Sequence, residues 1–276
     1  MGLRIPIAIL ALSAIVACSG VESRRSQADA LAAAAGLAKE TVPTERFVIT
    51  VYARLGGLGQ PLTVYFEGDG FAWISRTRPS TDPTPTDPMA LRLAAQDPAP
   101  NVVYVARPCQ YTPRDADPAC RVAYWTKRRF APEVVASMNR VVEVMRRRAE
   151  SPSVRLVGYS GGGAIAVLVA ALRSDVDDIR TIAANLDTDA FVAYHAVSRM
   201  DGSLNPVSVA ARLASVPQMH LVGGADEIVP MRLAEGYRRA SGTSGCVRFV
   251  EISGATHDRH WPRAWQRWRD APMPQC

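Results

Sequence analysis

Gly158-Tyr159-Ser160-Gly161-Gly162 places a hydroxyl nucleophile in a G-x-S-x-G string. Taken alone, such a string carries little, because glycine and serine are common. Its setting carries more: the apolar run SVRLVGYS leads into it and GGGAIAVLVAALRS leads out, so the serine stands where a strand turns sharply into a helix. A turn that tight forces the serine backbone into a sparsely populated conformation and tolerates only small residues two positions before and after. It also sets Ser160 at a helix N-terminus, where the Gly161 N–H can face a developing oxyanion. The competing reading is a glycine-rich turn that binds an anion without reacting with it.

A serine hydroxyl near its ordinary pKa is a poor nucleophile, so the chemistry needs a base and an acid to orient it. The chain holds four histidines. His257 follows the last strand-like run in Ser253-Gly254-Ala255-Thr256-His257, on a loop that can swing its imidazole over the nucleophile; His260 is the second candidate. His220 lies inside the apolar run QMHLVGG and is expected in the core, and His195 belongs to an irregular segment that could cover the site. The pair His257-x-x-His260 lacks a further clustered ligand, so neither a metal nor any other cofactor is expected. Asp226, on the loop directly after QMHLVGG, is the preferred orienting acid, with adjacent Glu227 expected to point elsewhere. Asp187, at the end of IRTIAANLD, competes for the role. Either aspartate could instead be a helix cap or turn acid.

These residues need a scaffold that brings distant strand ends together. FVITVYARL and PLTVYFEG, separated by GGLGQ, read as a hairpin-like start, and NVVYVARP as a third strand. A helix is expected over Pro132–Glu150, followed by SVRLVGYS, the helix after Ser160, and the strands IRTIAANLD, QMHLVGG and CVRFVEIS, with helices at MRLAEGYRRAS and WPRAWQRW. The alternation predicts an α/β fold with a mostly parallel central sheet, helices on both faces, and a small cap built from loops. The long segments 72–100 and 107–130 interrupt the alternation and are expected to wall the site, with Trp73, Tyr111, Tyr124 and Trp125 as candidate lining residues.

The N-terminus reads as an address. A short basic start ending at Arg4 precedes the 13-residue apolar run Ile5–Ala17, too short for a bilayer-spanning helix of about 20 residues. The run closes on Ile15-Val16-Ala17-Cys18, which resembles a bacterial lipobox, so residues 1–17 are expected to be a lipoprotein-type signal peptide and Cys18 the lipidated residue. By the same resemblance, Ser19 favours the outer membrane, giving a periplasmic protein held at the membrane by its N-terminal lipid. Residues 18–45 are expected to be a tether (19–27) and a helix (28–40), and residues 46–276 the catalytic domain, a monomer. Four cysteines remain, an even number that suits two disulfides in an exported chain. Of three pairings, Cys109–Cys120 and Cys246–Cys276 are preferred because each pins a segment with little apolar anchoring.

At this point the order Ser160…Asp226…His257, the strand-end positions and the sharp turn resemble the α/β-hydrolase superfamily over roughly residues 46–270. Tyr65–Phe71 (YFEGDGF), Asp82–Pro85, Ala106–Tyr111 and Ser203–Pro206 resemble, more narrowly, a family of exported bacterial α/β-hydrolases of unassigned substrate. The resemblance implies a second oxyanion N–H from the loop after the strand PLTVYFEG. Here that loop reads Glu67-Gly68-Asp69-Gly70, without the histidine often found there, leaving Asp69 or Gly70 as donor and Arg107 as a partner for the acids. The implied activity is serine hydrolysis of a small-molecule acyl substrate, an ester in preference to an amide. A peptidase or amidase, an acyltransferase, and a non-catalytic envelope-anchored binding protein remain as alternatives; for the first of these, Arg107 or Arg114 would recognise a peptide terminus.

Charge adds little. The formal net charge of +6 comes from 32 basic residues, of which all but Lys39 and Lys127 are arginine, dispersed except for Arg146-Arg147-Arg148. That cluster falls at a helix C-terminus, where cations complement the helix dipole. No nucleic-acid partner is expected.

Overall fold

The computed structural model describes residues 8–276 except 114, 243 and 244, with side chains described from residue 20 onward. The start of the expected signal peptide, the lipidation site Cys18 and Arg114 lie outside the described residues or side chains.

Eight strands form one sheet in the order β1-β2-β4-β3-β5-β6-β7-β8. β1 (Ala38–Pro43), β2 (Val48–Leu55) and β4 (Asn101–Val105) pair antiparallel; from β4 onward, through β3 (Leu62–Phe66), β5 (Val154–Tyr159), β6 (Val176–Ile182), β7 (Gln218–Gly223) and β8 (Val247–Ile252), all pairs are parallel. β3, β4 and β7 are buried at every residue, as strands covered on both faces must be. Alternate side chains sort to the two faces. Val51, Val64, Phe66, Val103 and Leu156 pack with α3 (Pro132–Arg148) and α4 (Gly161–Ala170). Tyr52, Tyr65, Tyr104 and Val157 pack with α1 (Ala8–Ala34), α2 (Met89–Ala94) and α7 (Trp261–Trp268).

The structure differs from expectation near the N-terminus. β2 and β3 do not pair as a hairpin; β3 crosses over to lie between β4 and β5. β3 is buried at every residue and lies between β4 and β5, whereas β2, between β1 and β4, keeps partly exposed ends. The expected tether is helical, because α1 runs through it, and the expected helix over 28–40 stops at Ala34. Gly36, at φ 69°, breaks it, and residues 38–43 become edge strand β1, so the sheet begins before residue 46. Segment 72–100 also contains α2 rather than only loop.

β5 lies near the centre of the sheet, so the turn after it opens at the carboxyl ends of the parallel strands, where open α/β sheets place their sites. The segments after β3 and β4 leave from the same end. Cys109–Cys120 and Cys246–Cys276 are disulfide-bonded, with Cα atoms 5.6 and 4.6 Å apart. The first closes the turn after β4, and the second ties the chain end to β8.

Candidate active site

Ser160 stands between β5 and α4 with φ 52° and ψ −121°, the strained conformation that the turn demands. The turn is pinned from several directions: Ser160 N–H donates to the Ile182 carbonyl at 2.9 Å, and Gly163 N–H to the Ser160 carbonyl at 3.0 Å. Its glycines are required by close approach. A Cβ at Gly158 would overlap the Gly162 carbonyl, and one at Gly162 would overlap the carbonyls of Phe66 and Glu67.

His257, on the loop between β8 and α7, places Nε2 3.0 Å from Ser160 Oγ and Nδ1 3.0 Å from Asp226 Oδ2. An ionised carboxylate only accepts, so Nδ1 carries the proton and Nε2 is free to accept from the serine. The loop is held by Tyr159 OH and Trp261 Nε1, which donate to the His257 carbonyl at 3.0 and 2.8 Å. Asp226 is buried, and its Oδ1 accepts from the Ile228 and Val229 amides at 2.8 Å each. Burial opposes its ionisation, but the His257 hydrogen bond and charge with those two amides outweigh it and hold the carboxyl below its usual range.

The rival residues are engaged elsewhere. Asp187 caps α5 (Thr188–His195), accepting from the Asp189 and Ala190 amides at 3.1 Å each. His260 Nδ1 lies 2.8 Å from the Gly254 carbonyl, and His195 Nε2 2.8 Å from the Ile228 carbonyl. His220 is buried between Thr181 Oγ1 and Gln218 Oε1; burial lowers it to about 3, so it stays neutral. Glu227 is exposed.

The loop after β3 lies directly against the nucleophile: a Cβ on Gly68 would come within 3.4 Å of Ser160 Cβ. The two acids in it are managed separately. Glu67 turns back, and its Oε1 accepts from Gly68 N–H at 2.8 Å, occupying that amide. Asp69 lies over Gly161 and pairs with Arg107 Nη1 at 3.1 Å and Arg129 Nη1 at 2.5 Å. Burial opposes its charge, but the two arginines prevail and keep Asp69 ionised below its usual range. Arg107 was foreseeable as a partner. Arg129 was not, since nothing in the run Lys127–Phe130 marks it. Gly70 sits at φ 64° beneath the Pro83 carbonyl, which the Phe71 amide binds at 3.0 Å, so it makes the turn.

Of the candidate lining residues, Tyr111, Tyr124 and Trp125 are buried loop core, and only Trp73 is exposed. Beside Asp226 an open cavity of about 670 Å³ is lined by Arg76, Tyr194, His195, Ile228, Pro230 and Arg232. A more enclosed cavity of about 200 Å³ lies at the amino ends of β3, β5 and β6, away from Ser160. No cluster of three or more His, Cys, Asp or Glu suited to a metal occurs among the described residues.

A family model described as serine hydrolase (FSH1) matches residues 94–249, more than half the chain, a span that includes Ser160 and Asp226 and ends before His257. Solved structures agree in fold. An alpha-beta serine hydrolase homologue from Coxiella burnetii is 17% identical, with 84% of this chain and 97% of that one covered at a TM-score of 0.56. The Pyrococcus furiosus esterase Pf2001 is 11% identical over 85% and 90%, at 0.60. XC6422 from Xanthomonas campestris, a serine hydrolase without lid, is 16% identical over 86% and 96%, at 0.54. At these identities the likeness is one of fold, the α/β-hydrolase fold. No curated protein sequence matches the chain significantly.

Proposed function

The chain belongs to the serine hydrolase (FSH1) family, and we propose that it cleaves a carboxylic ester through an acyl-enzyme on Ser160. The observation that carries this reading is the continuous chain Ser160 Oγ–His257–Asp226, 3.0 Å at each step, at a strained strand-to-helix turn. His257 Nε2 takes the Ser160 proton as Oγ attacks the ester carbonyl carbon. Asp226 fixes the tautomer of the neutral imidazole and stabilises the imidazolium that forms. The carbonyl oxygen, now an oxyanion, is received by the amides of Gly161 and Asp69. Collapse breaks the C–O bond, and His257 gives its proton to the departing alkoxide. Water then enters, loses a proton to His257, and attacks the acyl carbon; the acid leaves and Ser160 regains its proton. Gly68 is a poorer donor because Glu67 already holds its N–H, and Gly70 serves as the turn.

We place the enzyme in the periplasm, tethered to the envelope by lipid on Cys18. The two disulfides support an oxidising compartment. Among the described residues no helix is long and apolar enough to cross a membrane.

Turnover of p-nitrophenyl acetate against the matched p-nitroanilide tests the reading. It expects ester hydrolysis that Ser160→Ala removes, and an anilide rate at least tenfold lower. Equal anilide turnover would make the enzyme an amidase, and ester turnover that survives Ser160→Ala would overturn the mechanism.

A further inference from the structure

Two amides beside Ser160, those of Gly161 and Asp69, have no acceptor among the described residues. The direction of the second is set from outside the catalytic residues. Asp69 N–H shares a peptide with the Gly68 carbonyl, and that carbonyl accepts from Gln110 Nε2 at 3.0 Å. The described peptides are all trans, and in a trans peptide the C=O and N–H point in opposite directions. By drawing the carbonyl toward itself, Gln110 turns the Asp69 N–H away, while Gly68 packs against Tyr159 and Ser160.

Gln110 is itself held firmly. It is 1% exposed, and its Oε1 accepts from the Arg107 amide at 3.0 Å, which fixes the orientation of the side-chain amide. Its neighbours on either side, Cys109 and Tyr111, both have positive φ, 71° and 60°. For residues with a Cβ this conformation is unfavourable and persists only where the surroundings over-determine it. On one flank the constraint is the Cys109–Cys120 disulfide. On the other, Tyr111 N–H donates to Thr84 Oγ1 at 2.9 Å, and the Tyr111 ring packs against those of Tyr52 and Tyr104. The strain is therefore concentrated on the two residues that bracket Gln110.

We propose that Gln110, presented by this strained and disulfide-locked turn, is a positioning residue that aims the Asp69 N–H at the oxyanion. Its role is distinct from that of Arg107 and Arg129, which hold the Asp69 side chain. The proposal rests on the acyl-transfer reading above.

Gln110→Met keeps the length of the side chain and removes the donor. The expected result with p-nitrophenyl acetate is a kcat lowered about 30- to 100-fold with KM within about threefold, somewhat less than the loss of an oxyanion donor outright. The affinity for an aryl trifluoromethyl ketone, whose hemiketal oxygen occupies the oxyanion position, should fall by a similar factor. A merely structural role would lower the yield of folded protein and leave both quantities unchanged in what remains. The variant Cys109→Ser/Cys120→Ser, which keeps Gln110 but frees its turn, should show a smaller loss confined to kcat, and it decides the matter if Gln110→Met does not fold. Wild-type kcat and ketone affinity in the folded variant, or a change in KM alone, would overturn the positioning role and leave the acyl-transfer reading standing. Absence of any Ser160-dependent turnover in the wild type would overturn both.

Discussion

Replacing Glu67 with glutamine should flatten the pH dependence of stability. Glu67 lies under the oxyanion loop, 1% exposed, and burial pushes its carboxyl from the ordinary 4.5 up to about 7, against the opposing pull of the Gly68 and Ala90 amides. The ionisable groups facing it are Tyr104 from β4, Tyr111 and Arg107 from the turn after β4, and Tyr159 from β5. The tyrosines are raised by burial and stay neutral, and burial lowers Arg107 only to about 10, so Glu67 is the group among them that titrates near neutrality. Between its unfolded and folded values the native state binds more protons than the unfolded chain. Stability therefore falls as pH rises through this window, and the whole penalty is present above about 7. The displacement is worth about 3 kcal/mol, roughly three-quarters of it lost between about pH 5 and about pH 8. Glutamine preserves the acceptor for Gly68 N–H and cannot ionise. Urea unfolding of both proteins at the two pH values should show the variant gaining about 2–3 kcal/mol on the wild type, or roughly 5–10 °C in matched melting curves. A difference between the two proteins that does not change with pH would mean instead that Glu67 carries the same charge throughout.

Three further substitutions test the assignments. Asp226→Asn should lower kcat about 10³- to 10⁴-fold, because the Ile228 and Val229 amides would keep the asparagine oxygen and leave its NH2 donating to His257 Nδ1, which favours the wrong tautomer. Asp187→Ala should leave kcat within about twofold and cost about 1 kcal/mol in urea unfolding, the loss of the α5 cap; the reverse pattern would exchange the two acids. Cys18→Ala should move the protein from the membrane pellet to the soluble fraction on cell fractionation, and continued sedimentation with membranes would remove the lipid anchor from the account.

The parts of the site legible in the sequence are those governed by local geometry. Gly158 is dictated by a backbone contact within one turn and Gly162 by the close approach of the Phe66 and Glu67 carbonyls, while Ser160, Asp226 and His257 each follow a strand that is apolar enough to recognise. Asp187 and Asp226 compete in the sequence because both follow apolar runs. What separates them is His257, whose Nδ1 lies 3.0 Å from Asp226 Oδ2, whereas Asp187 caps a short helix that the residue pattern does not announce. Arg129 and Gln110 were hidden because their partners, Asp69 and Gly68, are 60 and 42 residues away. The short separation of β2 and β3 suggests a hairpin, whereas β3, buried at every residue, lies between β4 and β5. The expected helix over 28–40 takes in the first three residues of edge strand β1, Ala38–Glu40, because the strand buries a single residue, Val42, and carries no clear alternation.

The central claim is that Ser160 is the nucleophile, activated by His257. A fluorophosphonate probe on the folded chain, read by intact mass and peptide mapping, tests it most directly. One adduct per chain is expected, located on Ser160, absent in Ser160→Ala and strongly slowed in His257→Ala. A folded protein that takes up no probe at Ser160, or that labels equally well after Ser160→Ala, would contradict it.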